Sequence, residues 1–268
     1  MKKFLFPLLA MLAVPAFGAD IDIGDITSKK QIEQVSNEFA VNFSHTAVAA
    51  PETDGLWGIE VGVVGGSTGT PKLKDLVNEA GGDGSDFKST YHAAMMARAH
   101  FPLGFFVEVT ALPQRKISDV DVASRSLGLG WNLGEFTKLP FDLAVGANFS
   151  SDEVSFKQDI SNSTGSGAAK ISVDSKTRVL WTGVSKTFMF FTPYAKIGVA
   201  HTESKADVDA NGTVTVFTYS GKQSEKVSTD GGYLALGANL QFAFLKLGFE
   251  FSQTNTVKRA SGKISLDF

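Results

Sequence analysis

The sequence predicts an all-β protein: an antiparallel transmembrane β-barrel of about ten strands, with eight or twelve as alternatives, and a short N-terminal helix. Three observations carry this expectation. Apolar and polar residues alternate over segments long enough to cross a bilayer, short turns alternate with long polar segments, and the last strand ends in Phe268 with one apolar and one polar face.

Residues 1–19 read as a secretory signal peptide. Lys2 and Lys3 precede an apolar run from Phe4 to Val14, and Ala16, Gly18 and Ala19 supply the small residues of a cleavage site. The run is shorter than the roughly 20 residues a spanning helix needs. The chain has no Cys, which excludes a lipid-anchoring cysteine, a disulfide framework and a thiolate metal site. Removing residues 1–19 takes two lysines from 25 basic and 28 acidic side chains. The more acidic remainder predicts no nucleic-acid partner. Mean hydropathy is near neutral at +0.03 and no second long apolar run follows, so a helical membrane protein is excluded.

Residues 20–54 form an N-terminal helical segment in this reading. Ser28 with Gln31 has the form of a capping box, and Ile32, Val35, Phe39 and Phe43 share one helical face until Pro51 ends it. The segment could plug the barrel, lie on the inner leaflet or act as a tether; the plug is favoured, because barrels can be filled by a helix.

Residues 55–268 carry the barrel. Its strands are read at 55–66, 87–101, 105–112, 119–133, 141–150, 171–187, 194–202, 229–242, 246–254 and 258–268. In the first, Trp57, Ile59, Val61 and Val63 alternate with Gly58, Glu60 and Gly62; in the second, charges fall on one parity only. The apolar parity of 119–133 switches between Val122 and Leu127, which predicts a bulge near 123–125. Around Val179 to Val184 neither face is clearly apolar.

Tight turns are read at 101–104, 134–140, 188–193 and 241–246, and long external loops at 67–86, 151–170 and 203–228. That asymmetry belongs to membrane barrels, whose periplasmic hairpins stay short. Asn211-Gly212 between β-prone residues predicts a two-residue hairpin turn, and the Gly-rich pieces Gly65-Gly66 and Gly81-Gly82-Asp83-Gly84 read as flexible external loops. Many of the 22 Phe residues sit at the tight turns, among them Phe101, Phe105, Phe136, Phe141, Phe188, Phe190, Phe191, Phe242, Phe244 and Phe268. They predict one aromatic girdle.

Strand parity turns Glu60, Lys88, His92, Arg98, His100, Glu108, Asp142, Lys196, Glu250 and Lys263 inward. These residues either line a hydrated path or pair with one another to fill a narrow barrel. His201, followed by Glu203, Asp207 and Asp209, is the acid-rich neighbourhood among the four His, but no nucleophile motif accompanies it. No catalytic residue, metal site or cofactor is assigned, and the reading is of a non-enzyme.

Over residues 55–268 the architecture resembles small monomeric outer-membrane barrels of Gram-negative bacteria, and the terminal strand ending in Phe268 resembles their assembly signal. The resemblance implies residence in outer-membrane lipid, recognition by the barrel-assembly machinery, and a monomer. Residues 28–50 resemble the amino-terminal plug of fatty-acid transporter-like barrels, which implies a hydrophobic substrate. Three functions follow as expectations: porin-like passive transport or binding of small molecules, a structural or surface-interaction role through external loops, and a membrane-embedded hydrolase.

Overall fold

A computed structural model describes residues 29–46, 48–52, 57–79, 88–117, 120–134, 139–162, 165–214 and 217–268. Residues 1–19, Ser28 of the capping box, Phe136 and the Gly-rich residues 81–84 lie outside them. Ten antiparallel strands close into a barrel in which each strand pairs with its sequence neighbours and the last returns to the first. They are β1 (Gly58–Gly69), β2 (Ser89–Phe101), β3 (Phe105–Ile117), β4 (Val120–Asn132), β5 (Asp142–Asn162), β6 (Gly165–Ser185), β7 (Phe191–Val214), β8 (Phe217–Phe242), β9 (Leu245–Thr254) and β10 (Val257–Asp267). Helix α1 (Lys29–Phe43) precedes them and α2 (Pro71–Glu79) links β1 to β2. At the seam, Ile59 and Phe268 exchange both backbone hydrogen bonds, at 3.0 and 2.9 Å.

The exterior is apolar where a bilayer would touch it. Val63, Ile197, Leu236, Phe249, Phe251 and Ile264 all face outward and are more than half exposed, an arrangement stable against lipid and costly against water. Along β7 the outward row runs Phe191, Ile197 and Val199, then turns charged at His201 and Glu203, which marks the upper edge of the belt. Phe105, Phe188, Phe190, Phe242, Phe244 and Phe268 are exposed around the tight-turn end. Phe105 stacks on Trp131 and Phe190 on Phe242. The turn after β2 takes positive φ at Leu103 (67°) and Gly104 (76°), the latter a backbone state glycine adopts without a Cβ penalty.

The other end differs from the sequence expectation. Residues 151–170 and 203–228 are largely strand, for β5 to β8 run 21 to 26 residues and stay paired with one another far above the belt. Above a membrane both faces of a ribbon meet water, so the apolar alternation that reveals a strand disappears. Asn211-Gly212 is likewise no turn. Both residues sit inside β7, paired to Ser220 and Tyr219 on one side and to Ala168 and Gly167 on the other; the chain reverses between Val214 and Phe217 instead. Ladder bonds on both sides outweigh the local turn preference. Gly65 and Gly66 belong to β1, and 67–86 begins with strand and contains α2.

The irregularity expected in β4 lies across the ladder from it. Between the pairs Leu112↔Ser124 and Arg115↔Val122, two β3 residues, Pro113 and Gln114, oppose the single Ala123. β4 itself alternates without a break, with Val122 buried inside, and the apparent parity switch comes from that inward valine.

Candidate functional site

The candidate site is the barrel interior, which residues 29–52 occupy. α1 lies among the walls of β5 to β8, β1, β2 and β10. Because it is surrounded, its polar side is hidden as well: Ser36, Asn37, Glu38 and Asn42 are all buried, and each of the last three has a partner. Glu38 accepts the backbone N–H groups of Lys72 and Leu73, at 2.8 and 2.9 Å, and so caps the first turn of α2. Asn42 donates to the Tyr91 carbonyl at 3.2 Å and meets His92 Nδ1 at 3.3 Å, while Asn255 donates to Asn37 at 3.0 Å. Of the apolar stripe, Phe39 and Phe43 are half-buried; the side chains of Ile32 and Val35 are outside the described set.

After α1 the chain descends as an irregular thread toward the tight-turn end. A stretch without its own ladder needs other partners for its backbone, and the wall supplies them. Arg259 donates to the carbonyls of Val41, Ser44 and His45 and to the Ser44 hydroxyl, at 2.9 to 3.2 Å. Asn239, its amide oriented by its neighbours, donates to the Val48 carbonyl and accepts the Ala50 N–H, both at 3.1 Å. Ser185 donates to the Pro51 carbonyl at 2.7 Å and Arg98 to that of Ala50 at 3.3 Å. Inward-facing glycines make room for the thread. A Cβ at Gly128 would stand 2.8 Å from His45 Nε2, and one at Gly248 would stand 2.8 Å from the Val48 carbonyl.

The charges predicted to face inward gather around this thread. His45 Nε2 lies 3.0 Å from Glu108, which Arg98 approaches at 3.3 Å. Lys196 lies 3.4 Å from Glu250, whose carboxylate also accepts the Tyr194 hydroxyl at 3.0 Å. Lys263 lies 2.6 Å from Glu60, and Lys246 bridges Glu52 of the thread and Asp267 at 3.5 and 3.0 Å. His92 is half-buried beside Asn42 and Ser261, His100 is buried against the Phe106 ring, and Asp142 accepts from Asn132 near the turns. Lys88 is a correction. It precedes the first residue of β2 and is exposed, its carbonyl accepting from Thr70 N, so it lies at the rim and not within the buried interior. Arg259 and Lys246 are missing from the predicted inward set, although Arg259 shares the polar face of the last strand with Lys263.

Below the helix the lumen is packed: Phe106, Ala144, Val179, Trp181, Ala200, Tyr233 and Ala235 form one buried cluster. Against the upper wall of β3 to β8 a cavity of about 870 Å³ remains, and Leu112, Ser124, Asp152, Ser175, Ser204 and Val227 are the inward side chains along it. His201 lies elsewhere, on the outer surface just above the apolar belt. Its ring meets Asp230 at 2.6 Å through Nδ1 and Glu203 at 3.1 Å through Nε2, which raises its pKa above the ordinary imidazole value.

A family model described as "Family of unknown function (DUF6588)" matches residues 63–262. The chain belongs to that family. Among curated proteins none matches this DUF6588 member. Solved structures similar to it are outer-membrane barrels. The attachment invasion locus protein Ail of Yersinia pestis is 10% identical, with 79% of this chain and 97% of that one covered and a TM-score of 0.26. The translocator domain of the autotransporter NalP from Neisseria meningitidis is 9% identical, with 94% and 99% covered and a TM-score of 0.45. The toluene transporter TodX of Pseudomonas putida is 7% identical, with 87% and 96% covered and a TM-score of 0.34. The barrel of this DUF6588 protein rests on its own strand pairings.

Proposed function

We propose that this protein is an outer-membrane barrel of a Gram-negative bacterium that binds small polar molecules in its upper cavity, above a lumen closed by residues 29–52. The supporting observation is the division of the interior. The tight-turn half is filled by the thread, the ion pairs and the aromatic cluster, while the extended half keeps about 870 Å³ open beside the Ser124, Ser175 and Ser204 hydroxyls and the Asp152 carboxyl. Pockets for small ligands fall in the range of roughly 300–1,000 Å³. The lining favours polar ligands over the hydrophobic substrate that the plug resemblance implied. The apolar belt and the aromatic girdle at the tight turns support residence in a membrane, tight turns toward the periplasm.

The test combines planar-bilayer recording with equilibrium binding of a panel of small sugars and amino acids. The intact protein is expected to conduct almost nothing and to bind part of the panel saturably. A steady large conductance with no saturable binding would show a pore instead.

A second reading has its own observation. Above Gly232, whose carbonyl accepts the Asn255 N–H at 2.7 Å, β8 loses its β9 partner, so among the described residues Phe217 to Gly231 ladder with β7 alone and leave an open strand edge above the belt. Such an edge can take a strand from another protein. Trimming the β7–β8 extension would abolish surface interaction in that reading while leaving solute binding unchanged.

A further inference from the structure

Among the described inward side chains along the cavity, Asp152 is the single ionisable group; charged neighbours in the same wall, such as Arg125, Lys176 and Glu203, point outward. Asp152 is only 4% exposed. Its Oδ1 accepts from the Ser124 hydroxyl at 2.7 Å; the Ser150 hydroxyl, two residues before it on the same face, lies beside the carboxyl without a well-formed hydrogen bond, and Oδ2 has no hydrogen-bond partner among the described residues. The nearby Arg259 guanidinium is engaged with the carbonyls of the thread. Burial pushes the Asp152 carboxyl up to about 8 against the pull of the Arg259 charge, so a cation that arrives with the ligand is what would favour its charged form.

We infer that the cavity takes a small polyhydroxylated ligand bearing an ammonium group, held by Asp152. This deepens the small-molecule reading above and rests on it. The ammonium donates to the free Asp152 Oδ2, a ligand hydroxyl can accept from Ser150, and the Ser175 and Ser204 hydroxyls, 3.0 Å apart, face the rest of the ligand. Leu112 and Val227 give its carbon skeleton an apolar contact. The Ser124 hydroxyl also reaches the Phe43 carbonyl at the end of α1, at 3.1 Å, so the anchor for the ligand and the last turn of the plug helix share one proton donor.

The test is calorimetric titration of the full mature chain, folded in detergent, with glucosamine, glucose and glucuronate, which share a ring and differ in charge. Glucosamine is expected to bind at least about tenfold more tightly than glucose, with glucuronate weakest, and Asp152→Asn is expected to bring glucosamine to the level of glucose. Equal affinity for glucosamine and glucose, or full retention of glucosamine binding in Asp152→Asn, overturns the inference while leaving small-molecule binding intact. Binding of none of the three overturns the inference; if the wider panel also fails to bind, the underlying reading falls with it. Should Asp152→Asn not fold, judged by its heat-dependent gel mobility, the comparison of the three sugars on the unaltered protein decides.

Discussion

Glu60 and Lys263 meet 2.6 Å apart across the seam where the first and last strands close the barrel, and both side chains are essentially inaccessible to solvent. Ser265 donates to the same Glu60 oxygen at 2.5 Å. Breaking a buried pair strands the remaining charge, so Glu60→Gln is expected to cost roughly 3–5 kcal/mol. Glu60→Gln combined with Lys263→Met is expected to recover much of that loss. Denaturant unfolding in micelles measures both; a single variant as stable as the parent would show that the pair contributes nothing at the seam.

The thread between α1 and β1 passes so close to Gly248 that a side chain there has no room. A Cβ would lie 2.8 Å from the Val48 carbonyl and 2.9 Å from its Cγ1. Gly248→Val is expected to dislodge residues 44–52 at an overpacking cost of about 1–3 kcal/mol, and to raise bilayer conductance well above the parent. Gly262→Val, on the outer face, where a Cβ would have nothing nearer than 3.7 Å, serves as the control and is expected to stay closed. Conductance unchanged in Gly248→Val would mean that the wall side chains close the lumen by themselves.

Ile197 is 62% exposed on the outward face of β7, within the apolar belt. Ile197→Arg is expected to destabilise the folded barrel in lipid by about 2–4 kcal/mol, the depth-dependent cost of a cation at the midplane. Lys176→Asp, outward but above the belt, is expected to change stability by less than about 0.5 kcal/mol. Equal losses from the two would contradict the assigned height of the belt.

His201 lies above the belt, and its two ring nitrogens face Asp230 and Glu203. Both can donate only when the ring is protonated, and these bonds raise its pKa in the folded state. The stabilisation is therefore complete below the unfolded value of about 6.5 and is lost as pH rises through the higher folded value. An NMR titration of the ring is expected to show that elevation and its reduction in Asp230→Asn. A His201 that titrates alike in both proteins would refute it.

The membrane-crossing parts of the strands were legible in the sequence because a bilayer imposes a period of two on them: Val63, Leu236, Phe249 and Ile264 announce the outer face directly. The same pattern placed Glu60, Arg98, Glu108, Lys196, Glu250 and Lys263 inside. Its limits are equally physical. Lys88 was assigned by extending a parity beyond the residue at which the strand begins. The upper reaches of β5 to β8 have water on both sides and carry no periodic signal. The irregular thread, with His45 and Glu52, has none either, since its partners are Arg98, Glu108, Arg259 and Lys246 from distant strands. Asp152 was invisible for a different reason, since only the cavity beside it distinguishes it from any other loop acid.

The hydrogen bonds between Ile59 and Phe268 also bear on the order of events during assembly. They join the two ends of the barrel sequence, so this closure spans the longest loop in the sheet and carries the largest entropic cost, whereas the other strand pairs join sequence neighbours. Ring closure is therefore expected to come last. Residues 29–52 are attached directly to the strand that makes this final contact, and their partners Arg259, Lys246 and Asn239 lie on the strands synthesised late. The growing sheet can thus curl around a filler already tethered to its leading strand, gaining interior contacts before its rim is sealed.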